Sequence, residues 1–197
     1  MTAAPPSKAE DRREQILNAA MRLFLDHGVQ SVTTRDIAAA VGISQPSLYA
    51  HFKSREDIAV KLSERAFEQL SARMAAAAQA TGTPHERLKC MGQVYVAFGL
   101  EQSAAYRIAF MLEKTTTHPT DQQAIHESGM RCFAILHDLF KTVRGVDDLR
   151  TAALAQSAWA SMHGLVALLL SRPEFPWIEQ EVLIASHLEQ VCRRAFD

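Results

Sequence analysis

The sequence contains no apolar run long enough to cross a membrane. Its longest run, Gly164 to Leu170, has seven residues, whereas a transmembrane helix needs roughly 20. The N-terminal stretch Met1 to Lys8 is short and includes proline, and it lacks the apolar core of a signal peptide. We therefore expect a cytoplasmic protein without a membrane partner, which begins with a disordered arm over residues 1–11.

Cysteine is scarce, and its spacing forms no motif. The three residues are Cys90, Cys132 and Cys192. An odd number without a Cys-Xaa-Xaa-Cys pair argues against a disulfide framework and a structural zinc site, and fits a reducing compartment. A metal sensor would have to combine Cys132 with His126, His137 and His163, whose spacing matches no compact site. We expect neither a metal nor another cofactor.

Catalytic motifs are also missing. The sequence contains no Gly-Xaa-Ser-Xaa-Gly, no glycine-rich phosphate loop and no His-Glu-Xaa-Xaa-His. These are the arrangements that expose a nucleophile, hold a phosphate or bind a catalytic zinc ion. We therefore expect that the protein is not an enzyme.

An excess of charge of one sign is absent as well. The formal net charge is −1 at pH 7, and acidic and basic residues nearly cancel over residues 1–65. A domain that binds nucleic acid through bulk electrostatics is usually basic. Any DNA binding must therefore depend on a local cluster of donors.

What the sequence does have is helical periodicity, in a chain whose residues are 48% hydrophobic. Ile16, Ala20, Leu23 and Phe24 recur at the spacing of one amphipathic helix face, and Gly28 ends that helix. No alternation typical of strands competes, so we predict an all-α fold. The predicted helices cover residues 13–26, 33–41 and 45–51, a long segment from 54 to about 80, and residues 84–101, 103–112, 120–143, 148–171 and 177–196, with main loops at 115–120 and 172–176.

Two short helices near the N-terminus have the spacing of a helix-turn-helix. Thr33 and Asp36 have the capping-box spacing that opens a helix. Gly42-Ile43-Ser44 forms a tight turn, and the second helix covers Gln45 to His51. In a helix-turn-helix the second helix enters the major groove of DNA. A plain helical hairpin in a bundle has the same spacing and remains an alternative.

A longer pattern surrounds these helices. Its residues are Ile16-Leu17, Ala19-Ala20, Leu23-Phe24, Gly28, Thr33-Thr34-Arg35-Asp36-Ile37-Ala38, Val41-Gly42-Ile43-Ser44, Leu48-Tyr49, His51-Phe52 and Ser54-Arg55-Glu56. The pattern resembles the TetR family of regulators, with Pro46 where the family often has Gly and Arg55 where it often has Lys. The resemblance implies an N-terminal three-helix DNA-binding domain over residues 12–55 and a helical regulatory and dimerisation domain over residues 56–197.

The exposed start of the second short helix is predicted to contact bases. A Gln can hydrogen-bond adenine, and small or apolar groups can meet a thymine methyl, which assigns base contacts to Gln45, Pro46, Ser47 and Tyr49. Hydroxyl and cationic donors near helix starts favour phosphate, and the Tyr49 hydroxyl is one of them. The other predicted phosphate contacts are Thr33, Thr34, Arg35, Ser44, His51, Lys53 and Arg55. The alternative to a phosphate contact is that Thr33 and Ser44 serve only as helix caps. For Arg35 the alternative is a solvated surface charge.

The C-terminal half resembles the regulatory half of the family through two phrases, at residues 106–112 and 159–165. The resemblance implies that the last two long helices form a four-helix bundle with a second subunit, matching the two-fold symmetry of a palindromic operator. Apolar stripes on two faces of the helix over residues 148–171 agree with a helix that has two partners. The predicted interface residues are Ala158, Met162, Leu165, Leu169 and Leu188.

The resemblance also implies an effector pocket inside each regulatory domain. Aromatic, flexible and amphipathic side chains suit an apolar pocket with a few polar anchors. The same residue types on helix stripes usually form ordinary core, which is the alternative for each of them. The candidates are Tyr95, Phe98, Tyr106, Phe110, Met111, Met130, Phe133, His137, Trp159 and His163.

These observations predict a homodimeric repressor that a small, partly apolar molecule releases from a palindromic operator. Such release requires that the effector binds two states of the dimer with different affinity. Repression follows from the family, in which it is the commoner mode, and a transcriptional activator of the same fold is an alternative. A helical protein-interaction module that does not bind DNA is a further alternative, supported by the balanced charge alone.

Overall fold

The computed structural model describes residues 8–111 and 119–196 of the chain, and within these residues the regular elements are helical, without a β-strand. A short 3-10 turn, Val29–Ser31, follows the first helix. The α-helices are α1 (Lys8–His27), α2 (Thr34–Val41), α3 (Gln45–Tyr49), α4 (Arg55–Ala78), α5 (Pro84–Glu101), α6 (Ser103–Phe110), α7 (Pro119–Arg144), α8 (Leu149–Ser171) and α9 (Gln180–Phe196).

The N-terminal arm requires a correction. Helix α1 begins at Lys8, so residues 8–11 are helical and do not belong to a disordered arm. Glu10 and Asp11 lie in the first turn of this helix, where carboxylates interact favourably with the helix dipole. Three predictions concern residues outside the described ranges. They are the arm over residues 1–7, the helical residue Leu112 and the loop up to residue 118.

The start of the last helix differs from its predicted position. Helix α9 begins at Gln180, three residues after the predicted start at Trp177. The Trp177 indole donates a hydrogen bond from Nε1 to the carbonyl oxygen of Arg172 over 2.9 Å. This bond ties Trp177 to the turn that follows α8, which explains why the helix starts later.

The chain divides into two compact units, and the division differs from the predicted boundary near residue 55. The first unit comprises Met1–Ala66 and Ala104–His126, and the second comprises Phe67–Ser103 and Glu127–Asp197. The first unit therefore includes α6 and the first half of α4 in addition to the helix-turn-helix. A boundary predicted from local sequence follows chain order, whereas compactness also depends on contacts between residues far apart in the sequence.

The core of the first unit is made by one face of each of its helices. The stripe predicted on α1 is buried at Ile16, Ala20 and Phe24. The short α3 contributes Leu48, and Phe52 follows just after this helix. Isolated helices of five to eight residues are not stable in water, so this shared core is what keeps α2 and α3 folded.

The turn between α2 and α3 depends on a glycine. Gly42 has φ 72° and ψ 35°, in the left-handed region, which most L side chains avoid and glycine adopts freely. Its N–H and that of Ile43 donate to the carbonyl oxygens of Ala39 and Ala38, over 3.1 and 3.0 Å. This arrangement ends α2 at Val41, and α3 begins four positions later at Gln45, as the sequence predicts for a helix-turn-helix.

The second unit packs α5 closely against α8 and α9 through Gly92. A β-carbon placed on Gly92 would lie 2.6 Å from Cδ2 of Leu188 on α9 and 3.2 Å from the sulfur of Met162 on α8. Both distances are shorter than ordinary contact. The absence of a side chain at this position therefore lets the two other helices approach the α5 backbone.

Helix α8 combines an apolar sequence with incomplete burial. Within the described residues it is the one helix that could cross a membrane by length and composition alone, with a mean hydropathy of 1.4 in its most apolar window, of which 28% is buried. Leu168 on this helix is 50% exposed. The unit thus leaves apolar surface of α8 uncovered by its own chain.

Candidate functional site

The outer face of α3 presents the residues that were predicted to contact bases. Pro46 and Ser47 are exposed, Gln45 is half-buried, and the Tyr49 side chain is 50% exposed. Leu48, between them, is fully buried in the core. The helix therefore directs one apolar side chain inward and offers a mixed polar surface outward.

Three side chains on this surface form a hydrogen-bonded group. The Gln45 amide donates from Nε2 to Oγ1 of Thr34 over 2.9 Å. The same oxygen lies 3.2 Å from the Tyr49 hydroxyl, and either hydroxyl can be the donor. The group joins the first residue of α2 to the first and last residues of α3. Thr34 was predicted to contact phosphate, and its bonds to the other two side chains were not foreseen.

Thr33 and Ser44 act as helix caps in the structure. Oγ1 of Thr33 accepts a hydrogen bond from the Asp36 backbone N–H, and the Asp36 carboxylate accepts from the Thr33 N–H and hydroxyl. These hydrogen bonds lower the pKa of the Asp36 carboxyl because they stabilise its ionised form. Ser44 accepts from the N–H of Ser47 over 3.3 Å. Both residues are exposed at helix starts. Both donors of Thr33 bind Asp36, whereas the Ser44 hydroxyl acts only as an acceptor in its cap and can still donate to a phosphate.

The predicted phosphate contact of Arg55 requires a correction. Its guanidinium donates to the carbonyl oxygens of Gln30 and Val32 and to the Gln30 side chain, at 2.6, 3.1 and 2.9 Å. Nε donates to Glu56 over 2.6 Å. Four of its donors are thus engaged inside the first unit. Arg55 fastens the 3-10 turn to the start of α4 and has little capacity left for DNA.

The remaining cationic candidates differ in exposure. The side chains of Lys53 and Arg35 are exposed, and His51 is half-buried. The backbone oxygen of His51 accepts a hydrogen bond from Nη1 of Arg13 over 2.7 Å, and the Arg13 guanidinium lies 4.3 Å from the centre of the Phe52 ring. Sequence reasoning missed this role of Arg13, because no local spacing links residues 38 positions apart.

In the second unit, several pocket candidates come together. Nε1 of Trp159 donates to the Tyr95 hydroxyl over 3.3 Å, and this hydroxyl lies 3.4 Å from Nδ1 of His163. The Phe133 ring packs edge-on against Trp159 and also lies near His137, at centroid distances of 6.0 and 6.2 Å. We call these five residues the aromatic cluster. Burial lowers the pKa of His163 because it disfavours the charged imidazolium.

The other pocket candidates have different surroundings. Phe98 is fully buried in the second unit, with the Arg73 guanidinium 5.6 Å from its ring centre, and Met130 is 49% exposed. Tyr106, Phe110 and Met111 belong to the first unit, in which the rings of Tyr106 and Phe110 lie 4.8 Å apart. Among the described residues, no group of three or more His, Cys, Asp or Glu side chains could hold a metal ion.

The predicted subunit interface requires a correction as well. Ala158, Met162, Leu165 and Leu188 are buried within the chain itself, and Leu169 is half-buried. The four buried side chains have little surface left for a partner, whereas Leu169 stays partly accessible and Ala158 lines a groove between α8 and α9. The stripe that the sequence assigned to a second subunit faces the core of the second unit, because Gly92 brings α5 against it.

Comparison with known proteins assigns both parts of the chain to one family. Residues 16–62 match the family model described as bacterial regulatory proteins of the tetR family. Residues 88–190 match the model of a tetracyclin repressor-like C-terminal domain. The second match alone covers more than half of the chain.

Individual relatives extend this result. The chain is 25% identical to the HTH-type transcriptional activator FasR of Mycolicibacterium smegmatis over 172 residues, 87% of this chain and 74% of that protein. It is 43% identical to the HTH-type transcriptional repressor KstR2 of the same organism over 58 residues, 29% of this chain and 28% of that protein. A crystal structure of a tetR family regulatory protein from Rhodococcus RHA1 has a TM-score of 0.75 at 20% identity and covers 96% of this chain and 98% of its own.

The structural match confirms the predicted all-α fold with an N-terminal helix-turn-helix. The relatives are named as transcriptional regulators of both signs rather than enzymes, which confirms the predicted regulatory class. Two family models thus match the two parts of the chain in order. The chain therefore belongs to the TetR family of bacterial DNA-binding transcriptional regulators.

Proposed function

We propose that this regulator is a cytoplasmic repressor that binds a palindromic operator as a homodimer and leaves it when a small, partly apolar effector binds. The observation that carries the proposal is the outer face of α3, where polar groups of Gln45, Ser47 and Tyr49 are accessible beside the exposed Pro46. Repression is the commoner mode in the family, and the repressor KstR2 matches this chain over 58 residues.

The contacts with DNA follow from the exposure of the donors. We assign base contacts in the major groove to Gln45, Pro46, Ser47 and Tyr49, and each good base contact there contributes about 1–3 kcal/mol of discrimination. Exposed hydrogen-bond donors at helix starts make the phosphate contacts. We assign these contacts to Arg35, Ser44, Lys53 and the half-buried His51. Thr33 is left out because both its donors bind Asp36, and Arg55 because four of its donors are engaged.

The effector site is proposed at the aromatic cluster of the second unit. Three rings supply apolar surface, and the Tyr95 hydroxyl and the imidazole of His163 supply hydrogen-bonding atoms. Trp159 is 38% exposed, so a ligand can reach the cluster. This chemistry suits a molecule with an apolar body and one polar group.

The homodimer is proposed to form through the uncovered surface of α8 and α9. Leu168 on α8 and Val182 on α9 are 50% and 53% exposed, and a groove lined by residues such as Ser157, Ser161 and His187 runs between the two helices. His187 Nε2 lies 3.1 Å from both side-chain and backbone oxygens of Ser161. A second copy that covers this surface would remove its apolar side chains from water.

The test is binding of the purified protein to the DNA upstream of its own coding region, against scrambled DNA of equal length, across a salt series. We expect preferential binding that survives competitor DNA, with two protomers per site by light scattering. Leu168→Asp should give monomers with weaker binding, whereas Val146→Asp, an exposed position in the loop before α8, should leave the dimer intact.

Two results would overturn parts of the proposal. If neither this DNA nor any sequence from a random library is preferred, the chain is a protein-interaction module and DNA is not its partner. If a promoter carrying the selected site is more active with the protein than without it, the regulator is an activator. Both outcomes are independent of the effector.

A further inference from the structure

The Thr34 hydroxyl lies between the two side chains that bracket the recognition helix α3. It accepts a hydrogen bond from Nε2 of Gln45 over 2.9 Å and shares a second bond, of 3.2 Å, with the Tyr49 hydroxyl. Thr34 and Gln45 are half-buried, whereas Tyr49 is more exposed. The position of Thr34 behind the other two suggests a role that acts through them.

The hydrogen-bonding capacity of these groups is compatible with base recognition. A hydroxyl has one proton and two lone pairs, so Thr34 can accept from Gln45 and exchange a second bond with Tyr49 in either direction. A glutamine amide has two N–H donors and a carbonyl oxygen. After the bond to Thr34, one N–H and Oε1 remain, and these are the donor and acceptor that the edge of an adenine requires.

The bond to Thr34 also limits how Gln45 can move. A glutamine side chain has several rotatable bonds, and immobilising it on binding costs conformational entropy. A side chain that is already held in the free protein loses less on binding. It also presents its donor and acceptor in one arrangement, which favours one base over those that would need a rotated amide.

We propose that Thr34 is a positioning residue for base recognition: its hydroxyl holds the Gln45 amide, and thereby sets base preference at one position of each half-site without touching that base. This inference rests on the proposed base contact of Gln45. It differs from the predicted phosphate contact of Thr34, which would contribute equally to every DNA sequence.

The test compares base preference among variants. The probe is a DNA duplex enriched by the unsubstituted protein from a random-sequence library, together with duplexes that carry each single base-pair change. Gln45→Ala identifies the position at which Gln45 acts. Thr34→Val keeps the β-branched shape and removes the hydroxyl, and Thr34→Ser keeps the hydroxyl. Circular dichroism melting confirms that each variant is folded.

We expect Thr34→Val to lower discrimination at the Gln45 position by about three- to tenfold, the range that ordering one flexible side chain represents. Discrimination at other positions should stay unchanged, and Thr34→Ser should retain the original preference. The double variant Thr34→Val/Gln45→Ala should be no less selective there than Gln45→Ala, because the two residues act as a unit.

Three outcomes would overturn the inference, each in a different way. A uniform loss of affinity for all duplexes in Thr34→Val would make Thr34 a phosphate contact. If the losses of base discrimination in the two single variants add up in the double variant, Thr34 and Gln45 act independently of each other. If base preference is unchanged in Gln45→Ala, Gln45 does not contact a base, and Thr34 cannot act through it. That result would not contradict operator binding by the protein.

Discussion

The first unit packs short helices joined by tight turns, and the second packs long helices whose apolar surface is only partly covered. Helices α2 and α3 have eight and five residues, and their apolar side chains Ile37 and Leu48 are fully buried. Helix α8 has 23 residues and leaves Leu168 half exposed. The first unit thus has a polar outer face, whereas the second leaves an apolar face uncovered by its own chain.

The largest expected effect concerns the core of the first unit. Phe24 is fully buried, whereas Phe175, after α8, is 56% exposed. Phe24→Ala should lower the free energy of unfolding by about 3–5 kcal/mol, because it removes buried apolar area and leaves a cavity. Phe175→Ala should change it by less than about 0.5 kcal/mol. Urea unfolding checks both values, and similar losses would show that Phe175 is covered in solution.

A second prediction concerns the close approach of helices in the second unit. Gly92→Ala adds a methyl group 2.6 Å from Cδ2 of Leu188, and such overpacking typically costs about 1–3 kcal/mol. Leu188→Val removes volume next to the added group. The double variant should therefore lose less stability than the sum of the two single losses, as measured by urea unfolding. Strictly additive losses would mean that Gly92 and Leu188 do not meet.

The two units also differ in how far the sequence could predict them. Around α2, the capping box of Thr33 and Asp36 and the glycine turn at Gly42 involve residues three or four positions apart, and the structure has both. Local spacing determines such features fully. The predicted start of α5 at Pro84 agrees with the structure, in which Thr83 and Glu86 form a second capping box.

Features that depend on distant residues could not be predicted in this way. The bonds of Arg55 to Gln30 and Val32 join residues more than 20 positions apart, so only the three-dimensional fold shows that this guanidinium is engaged. Ala158, Met162 and Leu165 form an apolar stripe on α8 in either case. Whether such a stripe faces its own core or a second subunit depends on the approach of α5, which sequence periodicity does not describe.

A third prediction separates structural from DNA-binding cations in the first unit. Arg55→Ala should lower the free energy of unfolding by about 1–3 kcal/mol, because it removes several charge-assisted hydrogen bonds, and should leave the salt dependence of DNA binding unchanged. Lys53→Ala should leave stability unchanged, weaken binding to all sequences, and reduce the slope of log affinity against log salt by about 1. If Arg55→Ala instead reduces the salt dependence of DNA binding and leaves stability unchanged, Arg55 contacts phosphate.

The smallest expected effect compares the two capping boxes, one in each unit. Hydrogen bonds from Thr33, its hydroxyl and its N–H, lower the pKa of Asp36. The pKa of Glu86 is lowered by the N–H and hydroxyl of Thr83. A carboxyl whose pKa is lower in the folded than in the unfolded chain contributes stability above its unfolded pKa, and this contribution is lost as pH falls through the folded value.

Asp36→Asn and Glu86→Gln remove this contribution at every pH, because an amide does not titrate in this range. Each variant should be less stable than the unsubstituted chain at neutral pH, and the difference should shrink as pH falls below the ordinary range of carboxyl groups. Unfolding free energies measured from neutral pH to acid test this. Since both boxes are local, the two variants should behave alike although their units pack differently. A difference that stays constant with pH in either variant would show that its carboxylate stabilises the helix start by geometry alone, without a change in pKa.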